Sequence, residues 1–295
     1  MKVVLLIGGA GYVGGKIQKA LLSRGIKCVT LSRETLNYCN FRTLLNLLSE
    51  LKPDVLINAG GFTGKPNVDQ CEKEKSECIK GNLLLPQVIG QACDFHGVPL
   101  VHISSGCIFS GDKGKDANGN IIGFNEEDSP NFCFTSTPCS FYSGTKELAE
   151  QVLSDFEMVY TCRLRIPFDE ISSPRNYLTK LQNYRRLHEA VNSISHLGDF
   201  ANCCVDLFLN KCEYGTYNIT NSGFISTREV AGMIKDAFNL NKDFDFWGSD
   251  EEFYRVAAVA PRSNCIMDNS KLLSTGIEIR DCKTALEHSL INWVA

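Results

Sequence analysis

Val3-Val4-Leu5-Leu6-Ile7-Gly8-Gly9-Ala10-Gly11-Tyr12-Val13-Gly14-Gly15 decides the fold. Five apolar residues read as a buried strand, and the glycines follow with the spacing Gly8-x-x-Gly11-x-x-Gly14. Glycines let a chain turn tightly and let backbone approach a pyrophosphate, whose charge then sits on the N-terminus of the next helix. The motif alone is weak and could be a packing turn. Here it follows a strand and opens a helical pattern over Gly11–Ser23, the context that dinucleotide binding requires. Gly8, Gly11, Tyr12, Val13 and Gly14 are therefore candidate cofactor contacts.

Outward from that turn, strands alternate with helix-length segments. Lys27–Leu31, Asp54–Asn58, Val98–Ser104 and Val159–Arg165 read as strands. Leu44–Leu51, Val68–Phe95 and Phe141–Phe156 read as helices, the second one long. This alternation predicts an α/β fold of the Rossmann type, a doubly wound parallel sheet. After about residue 166 the pattern becomes irregular and is punctuated by Pro167, Pro174, Gly198, Gly215 and Gly223. The expected division is a dinucleotide-binding domain over 1–165. A smaller C-terminal substrate-binding domain is expected over 166–295, with some segments returning to the sheet. The connection Gly106–Ser140 is long, and loops of that length are usually functional.

Composition narrows the classes. The chain has 295 residues, 43% of them hydrophobic, enough to form a core and exclude disorder as its main state. A formal charge of −4 gives no electrostatic reason to expect nucleic acid or an anionic membrane. No run approaches the length of a membrane helix, and the N-terminus lacks the features of a signal peptide. A cytoplasmic location is expected, with the 14 cysteines reduced. Cys71/Cys78, Cys133/Cys139 and Cys203/Cys204 lack the spacing of zinc sites, so no metal is expected.

The end of the second strand bears on cofactor choice. An acidic residue there would hold the ribose 2′-hydroxyl of NAD, whereas arginine accommodates a 2′-phosphate. Ser32 and Arg33 favour NADP(H), while Glu34 leaves contact with the ribose open.

Asn58-Ala59-Gly60-Gly61 follows the third strand, Ser105 ends the fourth, and Tyr142-Ser-Gly-Thr-Lys146 lies on a helix. Tyrosine and lysine four apart share one helix face. Together these resemble the extended short-chain dehydrogenase/reductase family. The resemblance implies that Lys146 lowers the Tyr142 pKa and holds the nicotinamide ribose. Tyr142 would exchange a proton with the substrate oxygen and Ser105 would hydrogen-bond it. Asn58, Ala59 and Gly60 join the cofactor contacts.

Longer segments narrow the resemblance. Gly64–Glu72, Ser105–Phe109, Gly123–Phe132, Ser173–Lys180, Tyr217–Asn221 and Ala260–Asn264 are similar to one subgroup. It comprises bifunctional UDP-4-keto-6-deoxyglucose 3,5-epimerase/4-reductases, the nucleotide-rhamnose synthases, related to dTDP-4-dehydrorhamnose reductases. The resemblance implies that Cys107 and Lys180 move protons during epimerisation. Their bland readings are a buried thiol and a solvated or pyrophosphate-contacting charge. Thr63, Lys65, Asn67 and Asp69 are expected to line the sugar pocket, and Asn82 to steady the site through a water. Arg262 and Asn264 are expected at the nucleotide diphosphate. A helix cap or a surface polar group is the alternative for each.

Other residues are read conservatively. Arg165 is a sheet-edge charge or a pocket group, His102 is packing, and Glu126-Glu127-Asp128 is a solvated charge run. Asn131–Ser140 is longer than the subgroup's usual approach to the tyrosine, and Lys65 replaces its usual arginine. Gly106-Cys107 is not the acidic pair of a sugar 4,6-dehydratase, so a separate dehydratase is expected to supply the keto sugar. The family often dimerises, which leaves room for a homodimer. A reductase without epimerase activity, a cofactor-retaining sugar 4-epimerase and a non-catalytic NADP-binding regulatory subunit remain as other readings.

Overall fold

The structure is a computed structural model that describes residues 2–32, 37–241 and 243–295. Six parallel strands form the central sheet: β1 Val3–Ile7, β2 Lys27–Leu31, β3 Val55–Asn58, β4 Leu100–Ser105, β5 Val159–Leu164 and β6 Gly215–Asn218. Their spatial order is β2-β1-β3-β4-β5-β6. The chain leaves β1 toward β2 and then crosses back to β3. The crevice at such a reversal, beyond the strands' carboxyl ends, is where ligands of these sheets bind. The glycine turn after β1 and the Asn58–Gly60 turn after β3 both lie there.

Helices cover both faces. Alternate residues of a strand point to opposite sides, and β1 divides accordingly. Val4 and Leu6 pack with Ile17 and Leu21 of α1 (Tyr12–Ser23), and Leu5 and Ile7 with Leu44 and Leu48 of α2 (Phe41–Leu51). Ile89 of α3 (Leu85–His96) and Leu153 of α4 (Phe141–Leu153) join the second face. Beyond residue 166, α5 (Tyr177–Asn183) precedes α6 (Leu197–Leu209), which returns to the first face beside α1. A third apolar cluster joins Leu178 and Leu181 of α5, Val230 and Ile234 of α7 (Thr227–Ala237), and Leu286 and Leu290 of α8 (Cys282–Ile291).

Two expectations are corrected. The single helix over Val68–Phe95 is broken into Asp69–Lys73, Lys75–Ile79, a π-helical turn over Lys80–Leu84, and α3. Glu74 leaves helical geometry at φ −107° and ψ 52°, which ends the first turn. The wide turn carries buried Asn82, whose side chain is thereby free for the loop at Phe62.

The second correction concerns the long loop. Glu126 is not a solvated charge: its carboxylate accepts from the Asn218 backbone N–H at 2.7 Å, and burial raises its pKa. Asp128 is tied to the Asn125 N–H at 2.7 Å and the Lys113 ammonium at 2.9 Å. The loop as a whole is anchored by a cluster of Ile108, Phe109, Phe124, Cys265 and Met267.

No helix among the described residues is long and apolar enough to cross a membrane. The described residues contain no cluster of three or more metal-ligating side chains. All fourteen cysteines are unbridged.

Candidate active site

The glycine turn after β1 forms a candidate cofactor cradle. Gly8 has φ +81°, where side chains are strained, and a Cβ there would lie 2.7 Å from backbone atoms of Ala59 and Gly60. A Cβ on Gly14 would meet the Gly8 carbonyl oxygen at 2.1 Å. The β1 turn, the β3 turn and the start of α1 are thus in direct contact. Gly11 caps α1 without any side-chain hydrogen bond, leaving its N-terminus to an anion. Such a bare, glycine-lined helix end fits a dinucleotide pyrophosphate. A groove lined by Tyr12, Lys16, Asp169, Ile171 and Ser173 runs beside it.

Within this cradle, the Tyr12 hydroxyl donates to Asp169 Oδ1 at 3.2 Å, and Val13 packs on the core of the first face. Burial and the Asp169 charge push the Tyr12 phenol far above its ordinary value. Asn58 is fully buried, accepts from the Gly60 N–H at 3.0 Å and lies 3.1 Å from His102 Nδ1. His102 is therefore more than packing. Burial, then the Lys146 charge, pushes its pKa well down, so its neutral ring can accept from the Asn58 amide. Ser32 is exposed directly after β2, and Arg33 lies outside the described residues.

The carboxyl end of β4 carries the candidate reacting groups. Ser105 is buried there, and its hydroxyl accepts from the Cys107 N–H at 3.2 Å. That hydroxyl also hydrogen-bonds Tyr142 on the first turn of α4. Ser140 caps α4 by accepting from the Ser143 N–H at 3.0 Å, which fixes where Tyr142 enters. Burial and the nearby Cys107 push the Tyr142 phenol above its ordinary value, with the Ser105 contact opposing them. Lys146, one turn further, is 4% exposed and donates to the Ile103 carbonyl at 2.9 Å. Burial lowers its pKa to about 8. Burial thus favours the protonated phenol.

Cys107 sits in a short 3-10 turn, Gly106–Ile108, directly after β4. Its sulfur accepts from Arg165 Nη1 at 3.0 Å. Arg165 follows β5 and is 2% exposed, which makes it a pocket group rather than a sheet-edge charge. Lys180 lies on α5, and its pKa is lowered by burial and then by Arg175 and Arg262.

The remaining candidates gather at the loop after β3. Arg175 Nη1 donates to Thr63 Oγ1 at 2.6 Å and its Nη2 to the Gly64 carbonyl at 2.9 Å. Asn67 Oδ1 accepts from the Asp69 N–H at 2.9 Å, and Lys65 is exposed. Asp69 receives both terminal nitrogens of Arg262, at 2.7 and 2.8 Å. Asn82 bonds the Phe62 N–H and carbonyl directly, at 2.7 and 2.8 Å. Asn264 Oδ1 accepts from Asn192 at 3.2 Å.

The structure thus joins Ser105, Tyr142, Cys107 and Arg165 into one contact chain, and Thr63 and Asp69 to arginines from distant segments. Arg175 has no role that the sequence alone assigns. Its one signal is its place inside Ser173–Lys180, five residues before Lys180. Residues 131–140 pack on α4: a Cβ on Gly144 would lie 2.4 Å from the Phe134 ring, which also meets Phe141 edge-on at 5.3 Å.

Comparison with known proteins places this geometry. The chain is 32% identical over 283 residues to a bifunctional dTDP-4-dehydrorhamnose 3,5-epimerase/dTDP-4-dehydrorhamnose reductase of Arabidopsis thaliana, covering 96% of this chain and 90% of that one. It spans 40% or 41% of the length of three longer relatives from the same plant, whose names add a UDP-glucose 4,6-dehydratase activity. The L780 UDP-rhamnose synthase of Acanthamoeba polyphaga mimivirus superposes with a TM-score of 0.88 at 27% identity, covering 98% of this chain and 99% of that one. A dTDP-4-dehydrorhamnose reductase from Bacillus anthracis, solved in complex with NADP, shares the fold with a TM-score of 0.81 at 22% identity, covering 98% of both chains. Residues 1–294 match the RmlD substrate binding domain family, and the chain belongs to that family, whose Arabidopsis relatives compared above carry both 3,5-epimerase and reductase activities in their names.

Proposed function

We propose that the chain is a nucleotide-sugar 3,5-epimerase/4-reductase that converts UDP-4-keto-6-deoxyglucose, or its dTDP counterpart, to the corresponding nucleotide-rhamnose with NADPH. The observation that carries this reading is the contact chain Tyr142–Ser105–Cys107, which sets a reductase pair and a thiol at one strand end.

NADPH is supported by Ser32 and by the NADP-bound reductase of the same fold. Gly8, Gly11, Tyr12, Val13, Gly14, Ala59 and Gly60 would hold it, with Lys146 toward its ribose. When bound, it supplies a hydride to C4 of the sugar. Tyr142, kept protonated by burial, gives the C4 oxygen its proton while Ser105 hydrogen-bonds that oxygen.

Epimerisation uses the same oxygen. A C4 ketone acidifies the protons on C3 and C5. When one leaves, the C–H electron pair moves onto the C4 oxygen, where Ser105 and Tyr142 donate to it. Cys107 takes that proton. Lys180, whose depressed pKa makes its ammonium a better acid, returns one to the other face. Asp69, Thr63, Lys65 and Asn67 bound the sugar side, and Arg262 and Asn264 the diphosphate. The keto sugar would come from a 4,6-dehydratase.

The test is product analysis. Purified protein is given UDP- or dTDP-4-keto-6-deoxyglucose with NADPH, and the sugar is identified. Nucleotide-rhamnose supports the reading. A product inverted at neither C3 nor C5 indicates a reductase alone, and NADPH binding without turnover indicates a regulatory subunit.

A further inference from the structure

The end of β5 carries two buried arginines with different partners. Arg163 meets a carboxylate, donating to Glu150 Oε2 at 2.8 Å. Arg165 meets none among the described residues. Its Nη1 donates to Cys107 Sγ at 3.0 Å, and its Nη2 donates to Asn192 Oδ1 at 2.5 Å and to the Ser263 carbonyl. A buried cation is costly without a compensating charge. The ionisable group hydrogen-bonded to this one is the Cys107 thiol.

We propose that Arg165 is the positioning residue for epimerisation: its guanidinium pins the Cys107 sulfur and favours its thiolate form. The inference rests on the reading of Cys107 as a proton-transfer group.

The support around Arg165 is built for one orientation. Asn192, which fixes Nη2, also accepts from the Cys265 N–H at 2.9 Å and donates to Asn264 at 3.2 Å. The Arg165 backbone N–H donates to Ser195 Oγ at 3.1 Å. Directly after it the chain turns at Ile166, whose φ of +36° is rare for a β-branched residue. Among the described residues, the groups facing Cys107 and Arg165 are Tyr142, Lys146, Cys265 and Tyr177. None is a carboxylate. Cys265 is the other thiol near the guanidinium, but its Sγ donates to the Gly106 carbonyl at 3.3 Å and burial raises its pKa, so it keeps its proton. A neighbouring arginine favours the thiolate form of a cysteine.

The proton balance follows. The thiolate takes a proton from C3 or C5 and becomes a neutral thiol, while the C–H pair moves to the C4 oxygen. The guanidinium keeps its charge throughout. After Lys180 returns a proton to carbon, the thiol loses its proton to solvent and the Lys180 amine takes one up, which restores the starting thiolate and ammonium.

The full-length protein tests this. Iodoacetamide labelling is followed by peptide mass spectrometry from pH 8.5 to 6.0, with exposed Cys39 as the internal reference. The ratio of Cys107 to Cys39 labelling should rise at least tenfold as pH falls. A flat ratio in the parent overturns the proposal without recourse to any variant. Arg165→Gln should abolish the rise and Arg165→Lys restore most of it. If Arg165→Gln fails to fold by thermal melting, Arg165→Met removes the charge with less buried polarity.

Solvent deuterium exchange into the keto sugar separates the two claims. Loss of the rise with at least a tenfold loss of exchange supports the proposal. A rise that persists in the neutral variant overturns Arg165's role and leaves Cys107's standing. Loss of the rise with unchanged exchange removes Cys107 from proton transfer, and Arg165's role with it.

Discussion

Arg262 holds both carboxylate oxygens of Asp69, at 2.7 and 2.8 Å, across 193 residues of chain. The pair ties the loop after β3 to the segment near Cys265, and so closes one side of the site. Asp69→Asn should cost about 1 kcal/mol of stability at pH 7, the upper range for a partly exposed pair. The Arg262 contacts and backbone hydrogen bonds overcome burial and hold the Asp69 carboxyl below its ordinary value. Its stabilisation is therefore full above the unfolded value near 3.9 and is lost as pH falls through the lower folded value. Urea melts of parent and variant should differ at pH 5 to 8 and converge below about pH 4.

Lys146 gives a prediction of opposite sense. Burial lowers its pKa to about 8, against about 10.4 unfolded. The unfolded chain then binds the proton more tightly, so the buried ammonium destabilises the fold fully below pH 8. That cost is relieved as pH rises toward 10.4. Lys146→Met should melt higher than the parent at pH 7, with the gap narrowing by pH 10. Its rate of keto-sugar reduction should fall at least a hundredfold.

Tyr142→Phe removes the proton donor and leaves the ring. Reduction should fall by about 10²–10⁴ in steady-state assays. NADPH affinity by fluorescence titration should change less than threefold. A rate within tenfold of the parent would mean that another group protonates the C4 oxygen.

Gly14→Ala places a Cβ 2.1 Å from the Gly8 carbonyl oxygen, a backbone atom that cannot move aside cheaply. Overpacking of this kind costs about 1–3 kcal/mol. NADPH affinity should fall at least tenfold, read by the same titration.

The parts legible in the sequence are local. The glycine turn, the α4 helix carrying Tyr142 and Lys146, and Ser105 at its strand end each follow from a few consecutive residues. Pairings across long separations were not legible. Nothing in a run of residues says that Arg165 will meet Cys107, 58 positions away, or Arg175 meet Thr63, 112 away. The break in Val68–Phe95 was hidden because each piece keeps helical periodicity while Glu74 and the turn at Lys80–Leu84 interrupt it. Glu126 looked solvated because its partner is the backbone of Asn218, which no side-chain pattern announces.

One pocket performing both reactions would exchange hydrogen with solvent at two carbons before reduction, and isotope counting reads this. The protein is incubated in D2O with the UDP- or dTDP-4-keto sugar and NADPH, and the product is read by mass spectrometry and NMR. Nucleotide-rhamnose carrying solvent deuterium at both C3 and C5 is the expected product. A reduced product with no solvent deuterium at either carbon would contradict it.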